Sequence, residues 1–282
     1  MTDDPMVSTA WLAERLGAPD VKIVDASLFL PGVPRDPKAE FELVHIPGAV
    51  FFDIDEISDA SSNLPHMLPS PAKFASRVKA LGIGDGSRIV VYDSQGLFSA
   101  ARVWWMFRTM GHLDVVVLDG GLPKWIAEGR PTDSGLRRSQ ERHFTVRYSN
   151  DLVRDIAQVR RALETGREQI VDARPAGRFT GETPEPRPGL RSGHMPGARS
   201  VPAGSLIAPD GTLKTSDQLA DIFEKAGVDL NKHVTASCGS GVTAGIVALA
   251  LARLGQPRTA VYDGSWAEWG GREDTAVVTG PA

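Results

Sequence analysis

His233-Val234-Thr235-Ala236-Ser237-Cys238-Gly239-Ser240-Gly241-Val242-Thr243-Ala244 contains the only cysteine of the 282-residue chain. The run 233–236 reads as a buried strand, and the apolar run from Ala244 to Ala252 reads as a buried helix. The cysteine therefore belongs to a tight turn between a strand end and a helix start. Gly239 and Gly241 let the backbone curl and approach a ligand closely. A curled loop at a helix start points several N–H groups inward and forms a nest for an anion. A thiolate held in such a nest is stabilised and makes a nucleophile at neutral pH. The competing reading is an inert core cysteine, but an inert cysteine has no use for a glycine-rich turn.

Outward from that stretch, strands and helices alternate, which implies parallel sheets covered on both faces. Val7–Gly17 reads as a helix, Val21–Ala26 as a strand and Val50–Phe52 as a short strand. A helix opens at Ser70-Pro71, a strand follows at Arg88–Tyr92, a helix at Ala100–Met110 and a strand at Val115–Leu118. The second half repeats the course, with a helix over Asp151–Leu163 and a strand at Gln169–Arg174. Gly193-His194-Met195-Pro196-Gly197-Ala198 matches His45-Ile46-Pro47-Gly48-Ala49, and Asp263-Gly264-Ser265 matches Asp119-Gly120-Gly121. Asp119 and Asp263 lie 144 residues apart, as do Gly111 and Gly255. Matching elements in matching order are the mark of two copies of one α/β domain. We place them at 1–135 and 151–282, joined by a polar linker over 136–150. With the helices after the loops aligned, Ser94 falls opposite Cys238 and Asp93 beside it, so the first copy has no thiol.

Composition narrows the class. A hydrophobic fraction of 41% and a charged fraction of 23% fit a globular protein. A net charge of −4 points to neither nucleic acid nor an anionic membrane, and no apolar run approaches the ~20 residues of a membrane helix. One cysteine excludes an internal disulfide and any multi-cysteine metal site, and it fits a reducing compartment. Met1-Thr2-Asp3-Asp4-Pro5 reads as neither a secretory signal nor a transit peptide, so the expectation is a cytoplasmic protein.

The doubled domain and the cysteine loop resemble the tandem-domain rhodaneses, a family of sulfurtransferases. The resemblance extends to His45–Ala49, Val103-Trp104-Trp105-Met106-Phe107-Arg108, Gly177-Arg178-Phe179, Pro184-Glu185-Pro186-Arg187 and Trp266-Ala267-Glu268-Trp269. It implies two tandem rhodanese-like domains, each a mainly parallel sheet with helices on both faces, the second catalytic. Within the family the loop is similar to the mercaptopyruvate branch. The thiosulfate branch usually places basic residues straight after the cysteine, where this chain has Gly239 and Ser240.

What the resemblance implies is a persulfide cycle on Cys238, without metal or organic cofactor. Gly239, Gly241, Val242 and Thr243 would contact the substrate, and Arg178 and Arg187 would anchor the carboxylate of a 2-keto thiol. Solvated arginines, or pairing with Glu182 and Glu185, is the plainer alternative. Ser240, His66 and Asp55 would form a proton-transfer set; a packing histidine and a capping aspartate is the alternative there. The implied partners are the small substrate and a thiol acceptor, such as thioredoxin or a small thiol. His45, His194, Asp25 and Asp172 occupy equivalent places in the two copies, so we assign them to the fold.

Other classes fit less well. A cysteine phosphatase needs an arginine at the far end of its loop, where Val242-Thr243-Ala244-Gly245 stands. Thiosulfate:cyanide sulfur transfer is the nearest alternative. A non-enzymatic sulfur carrier is a third reading, against which the intact loop argues.

Overall fold

The computed structural model describes residues 4–30, 32–136 and 139–282. The first three residues of the N-terminal reading, and Arg137 and Arg138 of the linker reading, lie outside them. The chain divides into two compact units. The first takes the chain through Ala60, then Leu68–Ser149 and Ala208–Leu213. The second takes Ser61–Met67, Asn150–Ile207 and Lys214–Ala282.

The first sheet contains β1 (Met6–Val7), β2 (Val21–Asp25), β3 (Val50–Phe51), β4 (Arg88–Tyr92) and β5 (Val115–Leu118). Their order is β1-β5-β4-β2-β3, and every pairing is parallel. The second contains β6 (Val153–Arg154), β7 (Glu168–Asp172), β8 (Arg199–Ser200), β9 (His233–Ser237) and β10 (Ala260–Tyr262). Their order, β6-β10-β9-β7-β8, is the same and again parallel throughout. Val90, Val91, Val117, Val171 and Ala236 are sealed from solvent because both faces of each sheet are covered. The helices after the central strands, Ala100–Thr109 and Ala244–Arg253, are apolar almost all round and accordingly buried.

Each unit closes its core with the same device. His45 stacks on Phe41 with centroids 4.2 Å apart, and His194 stacks on Phe179 at 3.7 Å. The Nδ1 atoms lie within hydrogen-bond reach of the Phe41 and Phe179 carbonyl oxygens, at 2.7 and 2.9 Å. These histidines hold the fold together, as their equivalent places imply.

Two local expectations change. The first helix is only Thr9–Ala13, capped by Ser8 Oγ, which accepts the Trp11 N–H at 3.1 Å. Val7 belongs instead to the edge strand β1, whose two residues carry no periodic signal. Asp151 does not open a helix: residues 150–152 form a 3₁₀ turn, β6 follows, and the helix runs Ile156–Thr165. Its true start is the Asp155/Gln158 capping box.

The sheet register also corrects the alignment of the two loops. Ala26 N–H donates to Tyr92 O as Ala173 N–H donates to Ser237 O, each at 2.8 Å. Leu122 N–H donates to Asp93 O at 3.0 Å as Trp266 N–H donates to Cys238 O at 2.9 Å. Asp93, not Ser94, is therefore the counterpart of Cys238. The loop of the first copy is one residue longer before its helix, which a gapless alignment from the helix hides.

Candidate active site

β9 ends at Ser237 and the next helix begins at Ala244, so 238–243 form the loop. Cys238 opens it and is 2% exposed. Gly241 sits at φ +77°, a left-handed conformation that a side chain would strain. The Cys238 N–H donates to Ser265 Oγ at 3.2 Å, and Ser265 Oγ donates to Tyr262 O at 2.8 Å. Ser265 is itself held at φ +48° without being glycine. The amides of Trp266 and Ala267 donate to the carbonyls of Cys238 and Gly239, each at 2.9 Å. The root of the loop is thus pinned through both its N–H and C=O groups by the helix Ser265–Trp269.

Ser240 is buried, and its Oγ lies 3.0 Å from His66 Nδ1. His66 arrives on the segment Ser61–Met67, which belongs to the second unit although it precedes β4 in sequence. Its φ is +60°, rare for a non-glycine residue. Asp55 lies in the first unit and is exposed, and its carbonyl accepts Ser58 Oγ at 2.6 Å.

The two arginines meet at the loop. A Cβ added to Gly239 would lie 3.1 Å from Arg178 Nη2 and 3.9 Å from Arg187 Nη1. Both guanidiniums therefore face the residue after the cysteine, and a side chain there would press on the Arg178 guanidinium. Arg178 is not a solvated surface arginine: its Nε donates to both Glu185 oxygens at 3.2 Å, and its Nη2 also bonds Glu185. The pairing with Glu185 and the place at the loop hold together rather than compete.

Behind this pair stands a residue that sequence reading passed over. Arg174 is 1% exposed and donates to Asp172 Oδ2, Glu185 Oε1 and Gly193 O, each at 2.7 Å. Its guanidinium carbon lies 4.0 Å from the Trp266 ring centroid. Burial works against its charge, and Asp172 and Glu185 outweigh that, holding Arg174 above the ordinary arginine range. The signal was a difference between the copies: Asp172-Ala173-Arg174 stands where the first copy has Asp25-Ala26-Ser27.

The first copy answers the same geometry with other chemistry. Asp93 Oδ2 accepts N–H bonds from Phe98, Ser99 and Ala100 at 2.7, 2.9 and 2.9 Å, and Oδ1 accepts that of Gln95 at 2.9 Å. Its loop is an anion nest filled from within by its own carboxylate. Asp25, with a serine in place of the arginine, is pushed up to about 6 by burial. Among the described residues, no cluster of His, Cys, Asp and Glu could hold a metal ion, and no helix is long and apolar enough to cross a membrane.

The chain belongs to the rhodanese family. The model of the rhodanese-like domain matches it twice, over residues 8–128 and 155–272. It is 46% identical over 272 residues to the 3-mercaptopyruvate sulfurtransferase of Escherichia coli K12, covering 96% of both chains. It is 42% identical over 297 residues to thiosulfate/3-mercaptopyruvate sulfurtransferase 1, mitochondrial, of Arabidopsis thaliana, covering 98% of this chain and 78% of that one. Its fold matches the crystal structure of SseA, a 3-mercaptopyruvate sulfotransferase from E. coli. The TM-score is 0.86 and the identity 44%, over 93% of this chain and 99% of that one.

Proposed function

We propose that this chain is a sulfurtransferase that takes sulfur from 3-mercaptopyruvate, carries it as a persulfide on Cys238 and passes it to a thiol acceptor or cyanide. One observation carries the reading: two guanidiniums, Arg178 and Arg187, converge on the loop that holds the chain's single thiol. A 2-keto carboxylate held there presents its sulfur to Cys238.

The steps balance. Cys238 thiolate attacks the substrate sulfur, the S–S bond forms and the C–S bond breaks. The electron pair goes to carbon, giving the enolate of pyruvate, which takes up a proton to leave as pyruvate. Ser240, bonded to His66, supplies that proton. The strain carried by His66 at φ +60° supports a functional placement over a packing one. The loop amides from Gly239 to Thr243 stabilise the anionic sulfur, as their counterparts hold the Asp93 carboxylate. An acceptor thiolate then takes the outer sulfur and Cys238 is regenerated. Thioredoxin or a small thiol suits that step, and the cytoplasm keeps such thiols reduced.

Thiosulfate is the alternative donor, and the name of the Arabidopsis relative carries both substrates. Gly239 and Ser240 supply room and polarity where a basic pair would suit a dianion. The test is kcat/KM for pyruvate from 3-mercaptopyruvate and for thiocyanate from thiosulfate, on wild type and Cys238→Ser. A preference for mercaptopyruvate, lost in the variant, is expected. A preference for thiosulfate would overturn the donor, and activity in Cys238→Ser would overturn the mechanism.

A further inference from the structure

We infer that Glu185 sets the charge the substrate site accepts, so that a singly charged donor is favoured over a dianion. The inference rests on the reading that Arg178 anchors the substrate's anionic group. Glu185 is held from both sides: one oxygen takes Arg174 Nη1 at 2.7 Å and the other takes Arg178. Arg174 is in turn matched by Asp172. The chain Asp172–Arg174–Glu185–Arg178 thus contains two carboxylates and two guanidiniums, and its charges sum to zero. The side chains of Asp172, Arg174 and Glu185 are at most 2% exposed, so water and salt screen them little. Arg178, at 16%, is the member that reaches the loop.

Arg178 therefore offers the substrate directed N–H donors while its positive charge is compensated one residue behind. A monocarboxylate can use such donors fully. A dianion needs uncompensated positive charge, and Glu185 withholds that of Arg178. The sequence presets this carboxylate. Glu185 lies between Pro184 and Pro186, which fix their own φ angles and restrict Glu185 to extended backbone. Such a residue is built to stay beside Arg178 rather than to swing away when a ligand arrives.

The experiment compares wild type, Glu185→Gln and Glu185→Asp by the ratio of kcat/KM for thiosulfate to that for mercaptopyruvate. Removing one buried, unscreened charge next to the anchor should raise the ratio about tenfold or more in Glu185→Gln. Glu185→Asp keeps the charge and should hold the ratio near wild type. A merely structural role would lower both activities together, and an unchanged ratio in Glu185→Gln would overturn the inference. Calorimetry on the wild-type enzyme with pyruvate and with sulfate serves if the glutamine variant does not fold. Tighter binding of pyruvate is expected, and sulfate binding as well or better would overturn the inference. Because that titration needs no turnover, it separates this inference from the donor assignment: a wild type inactive on mercaptopyruvate would sink the latter alone.

Discussion

The loops after β4 and β9 leave the same place in the same sheet, and they end in opposite chemistry. Asp93 fills its loop with a carboxylate that accepts four backbone N–H groups. Cys238 puts a thiol at the equivalent position, two guanidiniums beside it and a serine–histidine pair along the loop. Behind the loops, Asp25 is buried beside a serine, whereas Asp172 is buried beside an arginine. One scaffold thus serves twice: its loop is sealed by its own carboxylate in the first copy and carries a thiol in the second. A nest of amides is a property of the fold; what occupies it decides whether it is structure or chemistry.

The comparison can be broken most directly by importing the first copy's solution. Cys238→Asp should abolish sulfur transfer, by on the order of 10⁴-fold or more, while its melting temperature stays at or above wild type. A variant that unfolds would show that the two nests are not equivalent.

The buried aspartates should respond to the same substitution with opposite sign. Asp172→Asn breaks a buried ion pair and should cost about 3 kcal/mol in urea denaturation. Asp25→Asn should instead stabilise. Asp25 holds its proton to about 6 in the fold, against 3.8 ordinarily, because burial penalises its charge. Its contribution is fully present below 3.8 and is lost as pH rises to about 6. The variant's advantage should therefore be absent near pH 4 and grow to about 3 kcal/mol above pH 6. A flat difference between about pH 4 and 8 would refute the assignment.

The smallest contrast lies in the residue that follows Gly120 and Gly264. A Cβ on Gly121 would meet Asp93 O at 2.5 Å and Gly96 O at 2.7 Å, so Gly121→Ala should cost about 2 kcal/mol. Ser265→Gly relieves a left-handed serine but unpairs the Cys238 N–H, and thermal denaturation should shift by less than about 1 kcal/mol. A larger loss in Ser265→Gly would mean that its hydroxyl carries more of the loop than the strain it relieves.

Much of this was legible in the sequence, because its signals are local. Apolar strand runs such as Ile89-Val90-Val91, glycine stops and the repeated His-x-Pro-Gly-Ala turn mark the doubled α/β fold. The lone Cys238 in its glycine-rich turn marks the loop. Two-residue edge strands escaped, since β1 and β6 are too short to show a period and exist only through β5 and β10. The equivalence of Asp93 and Cys238 escaped because one inserted residue shifts the loop against its helix. The link from Arg174 to Glu185 escaped because a buried ion chain across 172–185 depends on contacts that sequence spacing does not encode.

The most direct test of the central claim is intact-protein mass spectrometry after brief exposure to 3-mercaptopyruvate without an acceptor. The account predicts that wild type gains the mass of one sulfur atom, localised to the Cys238 peptide and removed by dithiothreitol, and that Cys238→Ser gains none. Pyruvate released by wild type with no sulfur left on Cys238 would contradict it.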